Sequence, residues 1–133
     1  KKDAWKLVFF MFAISTLIVQ VIKQIIFAGR LRPSAAITDI TQFHAVDGVE
    51  LYRSGSFPSG HTTTAFCIYI LFCILLRSSW WLYAGFTYAI LVGYSRVYLA
   101  EHFPLDVGGG MIAAAISSLA SWWLFKKLSS ENV

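Results

Sequence analysis

Long runs of apolar residues dominate this chain and limit most strongly the folds that are open to it. Four such runs can be read from the sequence, over residues 4–28, 61–77, 80–95 and 104–126. The chain is 57% hydrophobic and only 14% charged, whereas about a quarter of the residues of a soluble domain are charged. Because a bilayer core requires about 20 apolar residues per helix, we expect an all-α integral membrane bundle of about four transmembrane helices, forming a single domain over residues 1–133.

The charged residues fall on two faces of such a bundle and predict its orientation. One face carries an excess of basic residues, with Lys1, Lys2, Lys6, Arg77, Lys126 and Lys127 against Asp3 and Glu131. On the opposite face, four arginines are roughly balanced by five acidic residues. Because an excess of lysine and arginine marks the cytoplasmic side, we expect the balanced face to be extracytoplasmic.

The segment 57–62 (FPSGHT) opens the second apolar run. A helix that begins here would offer free backbone N–H groups and the positive end of its dipole to an anion. The Ser59 hydroxyl and the Gly60 amide could both donate to a phosphate oxygen, and His61 could give a proton to a leaving oxygen. Taken alone, the segment fits equally well a helix capped by Ser59 with an exposed histidine.

The segment 95–106 (SRVYLAEHFPLD) joins the third and fourth runs. Pro104 suits the first turn of a helix, so His102 would precede that helix and Asp106 would lie in its opening turn. A carboxylate there can accept the Nδ1–H of the histidine and leave Nε2 free to attack. Arg96 offers a planar fork for phosphate oxygens. The alternative is a surface turn with a salt bridge.

The segment 23–33 (KQIIFAGRLRP) ends the first run on the same face. Lys23 could extend its amine to the headgroups without any further role. Together with Arg32 it would instead add two positive charges around a phosphoryl group.

These three segments together resemble the type 2 phosphatidic acid phosphatase superfamily. The signature of that family is a lysine, six residues and Arg-Pro; then Pro-Ser-Gly-His; then Ser-Arg, five residues, His, three residues and Asp. The second motif is present at residues 58–61, and the third is complete in Ser95, Arg96, His102 and Asp106. The resemblance extends from the first apolar run to the start of the fourth.

The first motif departs from the family pattern. Eight residues separate Lys23 from Arg32 and Pro33, while Arg30 has the six-residue gap but no following proline. Positions nine apart on a continuous helix point in opposite directions, so Arg32 can join Lys23 only if the helix ends first, and Gly29 is a suitable stop. We prefer Arg32 because of its proline, with Arg30 as the alternative.

The resemblance implies a metal-independent lipid phosphatase. His102 would attack phosphorus to form a phosphohistidine, Asp106 would hold its imidazole, and His61 would protonate the leaving group and then activate water. The phosphoryl oxygens would be held by Lys23, Arg32, Ser59, Gly60 and Arg96. Because these donors take the place of metal ions, no metal or other cofactor is expected.

The expected substrate is the phosphate monoester or pyrophosphate of a lipid, at the extracytoplasmic face of the bacterial inner membrane. Phosphatidylglycerophosphate, undecaprenyl pyrophosphate, phosphatidic acid and lipid A phosphates all stay open, as does the oligomeric state, and no nucleic-acid partner is expected. Membrane members of the family usually have six core helices, so either two helices precede Lys1 in the natural protein or this is a smaller variant. The loop over residues 29–60, with a short helix predicted around 37–46, would cover the site. His44 within it is a candidate substrate contact, although an ordinary loop histidine is the favoured alternative.

Two other functions compete with this interpretation. A vanadate-dependent haloperoxidase would bind vanadate at His102, but the haloperoxidases of the family are soluble. A non-catalytic protein that binds or transports lipid phosphates would need the phosphate pocket without the set formed by His61, His102 and Asp106. The presence of that set favours an enzyme.

Overall fold

The chain is described by a computed structural model over residues 3–39, 46, 48, 50–76 and 79–130. Its helices are α1 (Ala4–Val21), α2 (Pro33–Ala36), α3 (Gly60–Leu75), α4 (Ser79–Tyr98) and α5 (Pro104–Ser130). A π-helical turn, Ile22–Ile26, continues α1. Among the described residues, extended pairing is limited to a single bridge between Leu31 and Ser54. The prediction of an all-α fold is confirmed.

The four long helices form a bundle in which successive helices run in opposite directions. Helix α1 packs against α5 and α3, and α3 also packs against α4 and α5. Within the described part of the chain, α1 and α4 do not pack against each other. The C-terminal ends of α1 and α4 therefore meet the N-terminal ends of α3 and α5 at one end of the bundle, and a space stays open between α1 and α4.

The bundle interior combines a few large apolar residues with many small ones, while further large apolar side chains face outward. The buried core consists of Leu7, Met11, Ala65, Phe66, Cys67, Leu71, Ala89 and Ala114. On α5 the buried positions include Gly110, Ala113 and Ser117, whereas Ile112 and Leu119 are 63% and 71% exposed. Small residues at helix interfaces let backbones approach closely, as in membrane bundles.

Two helices, Ala4–Ile26 and Pro104–Ser130, are long and apolar enough to cross a membrane. The prediction of about four transmembrane helices is therefore wrong for the described chain, although helices do form in all four apolar runs. Helix α3 has 16 residues and spans about 24 Å, less than the roughly 30 Å of a bilayer core. Helix α4 has 20 residues, but its four tyrosines and two tryptophans lower its hydropathy.

Helix α5 approaches the start of α3 so closely that only glycine fits at the crossing. A Cβ on Gly110 would lie 2.7 Å from the carbonyl oxygen of Ser59, and one on Gly109 would lie 2.3 Å from the ring of Phe57. Separations below 3.0 Å are essentially never seen for real Cβ atoms. The glycines of α5 thus bring the segment before α3 against the first turns of α5.

The connection between α1 and α3 folds back over this end of the bundle. Gly29 has a φ of +81°, in the left-handed region that favours glycine, and follows the end of the π-helical turn. The N–H of Arg32 then donates to the carbonyl of Arg53 at 3.0 Å, and the N–H of Ser56 to that of Arg30 at 3.2 Å. The short helix of this connection is α2, while residues 37–39 are not helical. The rest of the helix predicted over 37–46 lies largely outside the described residues, as does His44.

Candidate active site

The turn between α4 and α5 and the first turn of α5 carry the two residues of the third motif with the clearest chemistry, His102 and Asp106. The N–H groups of Glu101 and His102 both donate to the carbonyl of Arg96, at 3.0 and 3.1 Å, which ends α4 and reverses the chain. Pro104 begins α5, and Asp106 lies in its first turn. The structure brings His102 and Asp106 together with Nδ1 3.7 Å from Oδ2, somewhat beyond hydrogen-bond range.

Asp106 is fully buried and joins three segments of the chain. Its Oδ2 accepts hydrogen bonds from the Ser56 hydroxyl and from the N–H of Phe103, and its Oδ1 lies 3.6 Å from Nε of Arg30. Ser56 is also fully buried. Sequence reasoning missed this serine, and its position just before the Pro-Ser-Gly-His motif is the only signal that could have indicated it.

The start of α3 is fixed by Ser59. Its hydroxyl accepts from the N–H of Thr62 at 3.4 Å and from the Thr62 hydroxyl at 2.9 Å, and its own N–H donates to the carbonyl of Asp106 at 2.9 Å. Ser59 is fully buried and is not among the residues that line the cavity described next, whereas Gly60 and His61 are. In this geometry Ser59 caps the helix beside an exposed His61, and its predicted role toward phosphate stays a prediction.

A cavity of about 440 Å³ opens at the ends of the helices. At its polar end it is lined by Lys23, Arg32, Gly60, His61 and His102. It then continues between α1, α3 and α4 along Thr16, Val19, Ala65, Ile68, Tyr88 and Val92, among others. Residues from all three predicted motifs thus meet at the head of a cavity whose remaining lining mixes apolar with uncharged polar side chains.

The two arginines that compete for partnership with Lys23 have different positions. Arg32 lines the cavity together with Lys23, and its Nε donates to the carbonyl of Ser54 at 3.1 Å. Arg30 does not line the cavity; it approaches Asp106, and its guanidinium lies over the ring of Phe57 at 5.3 Å. The chain reversal after Gly29 accounts for both positions.

Glu101 lies close to two arginines, Arg32 and Arg96, and to both histidines of the site. Its Oε2 is 3.2 Å from Nη1 of Arg96 and 4.0 Å from Nη1 of Arg32. Ligand atoms of His61, Glu101 and His102 all lie within 4.8 Å of one another, which is a set that could hold a metal ion by residue type. The arginines beside it, with the amine of a lysine in the same cavity, oppose a cation and favour an anion.

His102 is poised in its neutral form. Burial lowers the pKa of His102 to about 4, and the charges of Arg32 and Lys23 act in the same direction. The carboxylate of Asp106 and a backbone hydrogen bond with Ser56 oppose this shift without reversing it. At neutral pH the imidazole therefore keeps the lone pair that a nucleophile requires.

Comparison with known proteins identifies the class to which this fold and site belong. The family model of the PAP2 superfamily matches residues 4–130. The chain therefore belongs to that superfamily, as its motifs predict. It is 37% identical over 86 residues to the undecaprenyl-diphosphatase BcrC of Bacillus subtilis, covering 64% of this chain and 40% of that protein. It is also 38% identical over 97 residues to a lipid A 1-phosphatase of Porphyromonas gingivalis. This match covers 71% of this chain and 18% of that protein.

A third relative, the bacitracin transport permease protein BcrC of Bacillus licheniformis, is 32% identical over 100 residues, covering 74% of this chain and 45% of that protein. The chain thus spans less than half the length of these curated relatives. It is also similar to the crystal structure of Aquifex aeolicus LpxE, with a TM-score of 0.74 and 29% identity over 92% of this chain and 68% of that one.

Proposed function

We propose that this chain is a single transmembrane phosphatase domain that hydrolyses the phosphate monoester or pyrophosphate of a membrane lipid through a phosphohistidine on His102. One observation carries the proposal: a buried, neutral histidine lies beside a buried carboxylate at the head of a cavity that also holds Lys23, Arg32 and His61. This combination supplies a nucleophile, a second imidazole and cationic donors in one place.

In the first step Nε2 of His102 attacks phosphorus. The new N–P bond forms as the bond from phosphorus to the lipid oxygen breaks, and His61 gives its proton to that oxygen. The imidazole gains positive charge, which the carboxylate of Asp106 stabilises on the Nδ1 side. In the second step His61 takes a proton from water, the resulting hydroxide attacks phosphorus, and the N–P bond breaks to release inorganic phosphate.

The cationic end of the cavity holds the phosphoryl oxygens through both steps. Lys23 and Arg32 line it together with Gly60 at the start of α3. We assign Arg96, whose Nη1 pairs with Glu101, to the same set through the third motif. We assign Ser59 to this set through its place at the same helix start. These groups neutralise the charge of the transferred group, and we propose that turnover needs no metal ion.

The lipid nature of the substrate is supported by the shape and surroundings of the cavity. Its remaining lining offers apolar side chains from α1, α3 and α4, and the outer surface of the bundle carries large apolar residues such as Phe9 and Leu119. Relatives named as an undecaprenyl-diphosphatase, a lipid A 1-phosphatase and phosphatidylglycerophosphatase B suggest a lipid phosphate as the substrate class. We propose a site on the extracytoplasmic face of the bacterial inner membrane, since Lys6, Lys126 and Lys127 lie at the other end of the bundle.

The proposal is tested by measuring phosphate release from a panel of lipid phosphates in detergent, with and without excess EDTA. The wild-type protein should turn over at least one monoester or pyrophosphate at the same rate in EDTA, and His102→Ala should be inactive. Asp106→Asn should lose about a hundredfold or more in kcat, while the matched change Asp3→Asn, at an exposed residue beyond the other end of α1, should be silent. Equal slow release by wild type and His102→Ala would refute the enzymatic proposal and leave a protein that binds or transports lipid phosphates.

A further inference from the structure

We propose that the side chain of Glu101 occupies the phosphoryl site when the site is empty and is displaced by the substrate, so that its return promotes release of inorganic phosphate. The proposal rests on the function proposed above. It assigns a role to a residue that the family signature does not include.

The carboxylate of Glu101 lies among the groups that are proposed to act on the phosphoryl group. Glu101 pairs with Nη1 of Arg96 at 3.2 Å and lies 4.0 Å from Nη1 of Arg32, the two arginines proposed to hold phosphate. A carboxylate oxygen and one nitrogen from each of His61 and His102 lie within 4.8 Å of one another. The carboxylate therefore lies within 4.8 Å of both the proposed nucleophile and the proposed acid, close to the place where the phosphorus would have to be.

A phosphoryl group and this carboxylate cannot share that position. Both are anionic, and two negative charges a few ångströms apart in a partly buried site repel each other strongly. The side chain of Glu101 is 12% exposed, so it has a route toward solvent. Binding of substrate therefore includes the cost of breaking the Arg96–Glu101 pair, and product release regains that pair.

Both arginines have hydrogen-bond partners other than the carboxylate. Arg32 also donates to the backbone carbonyls of Ser54 and Glu101, at 3.1 and 3.4 Å, and Nε of Arg96 donates to the Ser95 hydroxyl at 3.2 Å. Removing the Glu101 charge should therefore free two positioned donors instead of letting them collapse. Affinity for an inorganic anion should rise, which is a change that structural damage would not produce.

The test measures orthophosphate and orthovanadate, by isothermal titration and as competitive inhibitors of lipid hydrolysis. Glu101→Gln should bind both at least tenfold more tightly than wild type, about 1.4 kcal/mol, and should show a lower KM and a lower kcat as phosphate release slows. Glu101→Asp, which withdraws the carboxylate by one methylene, should give a smaller gain. The matched control Glu50→Gln, at an exposed residue of the loop, should bind like wild type.

Unchanged or weaker anion binding in both Glu101 variants would overturn the inference and leave the enzymatic function intact if wild type hydrolyses lipid phosphates. Tighter anion binding in a protein that shows no hydrolysis would overturn the proposed function and keep the carboxylate as an occupant of the anion site. Should Glu101→Gln fail to fold, Glu101→Asp decides by the same titration.

Discussion

Replacing Gly110 with alanine tests how far the site depends on the crossing of α5 with the start of α3. The new Cβ would lie 2.7 Å from the Ser59 carbonyl oxygen, which is 0.7 Å short of the 3.4 Å at which ordinary contact begins. Because the obstacle is backbone, the overpacking cost should be about 3 kcal/mol. The better helix propensity of alanine returns about 1 kcal/mol, so we expect a net loss of about 2 kcal/mol.

Gly108 provides the matched control, since nothing lies within 4 Å of a Cβ built there. Gly108→Ala should keep or slightly raise the melting temperature, whereas Gly110→Ala should lower it by about 8 °C. The Ser59 carbonyl belongs to the residue that caps α3 before His61, so a shift of about 1 Å should also reduce kcat/KM by about a hundredfold. Thermal unfolding in detergent and steady-state kinetics measure both effects. Equal stability and equal kcat/KM in the two variants would refute the reasoning.

Three further predictions concern the site itself. Since the pKa of His102 is lowered to about 4 and only neutral imidazole attacks, kcat/KM should fall as the pH drops through that value. Burial also lowers the pKa of His61, so loss of the proton that it donates should reduce kcat/KM at higher pH; an acid limb near 6.5 would contradict the assignment of His102. Ser56→Ala should reduce kcat about tenfold by removing one of the two hydrogen bonds to Oδ2 of the buried Asp106 carboxylate, whereas Ser130→Ala, which removes an exposed hydrogen bond, should not. Arg32→Gln should raise the KM for lipid phosphate at least tenfold. Because Arg30 does not line the cavity, Arg30→Gln should change the KM less than threefold; the reverse order would exchange the roles of the two arginines.

The sequence predicts well those parts of the site that local chain geometry determines. His102 and Asp106 meet because a proline begins the helix between them, and their four-residue spacing then brings them to one side. Lys23 and Arg32 line one cavity because the helix ends before Gly29 reverses the chain. In each case the signals are helix starts and stops, which the residues themselves encode.

Contacts between distant segments were not predictable in the same way. Nothing about Ser56 alone indicates a partner 50 residues away, and no spacing rule gives Glu101 its two arginine neighbours. The number of membrane-crossing helices was overestimated because apolar character was taken over short runs. The length of α3 and the aromatic hydroxyls and indoles of α4 become decisive only once the helix ends are known.

The burial of Asp106 has a consequence for the biosynthesis of the protein. Its carboxylate is held by groups from residues 30 and 56 as well as from its own turn, and it belongs to α5, which the ribosome makes after the other four helices. A nascent chain that carries the loop and α3 but not yet α5 has no acceptor for Ser56 and no partner for His102. Hydrolytic competence would then arise only when α5 docks, so a partly inserted chain could not act on the lipids around it.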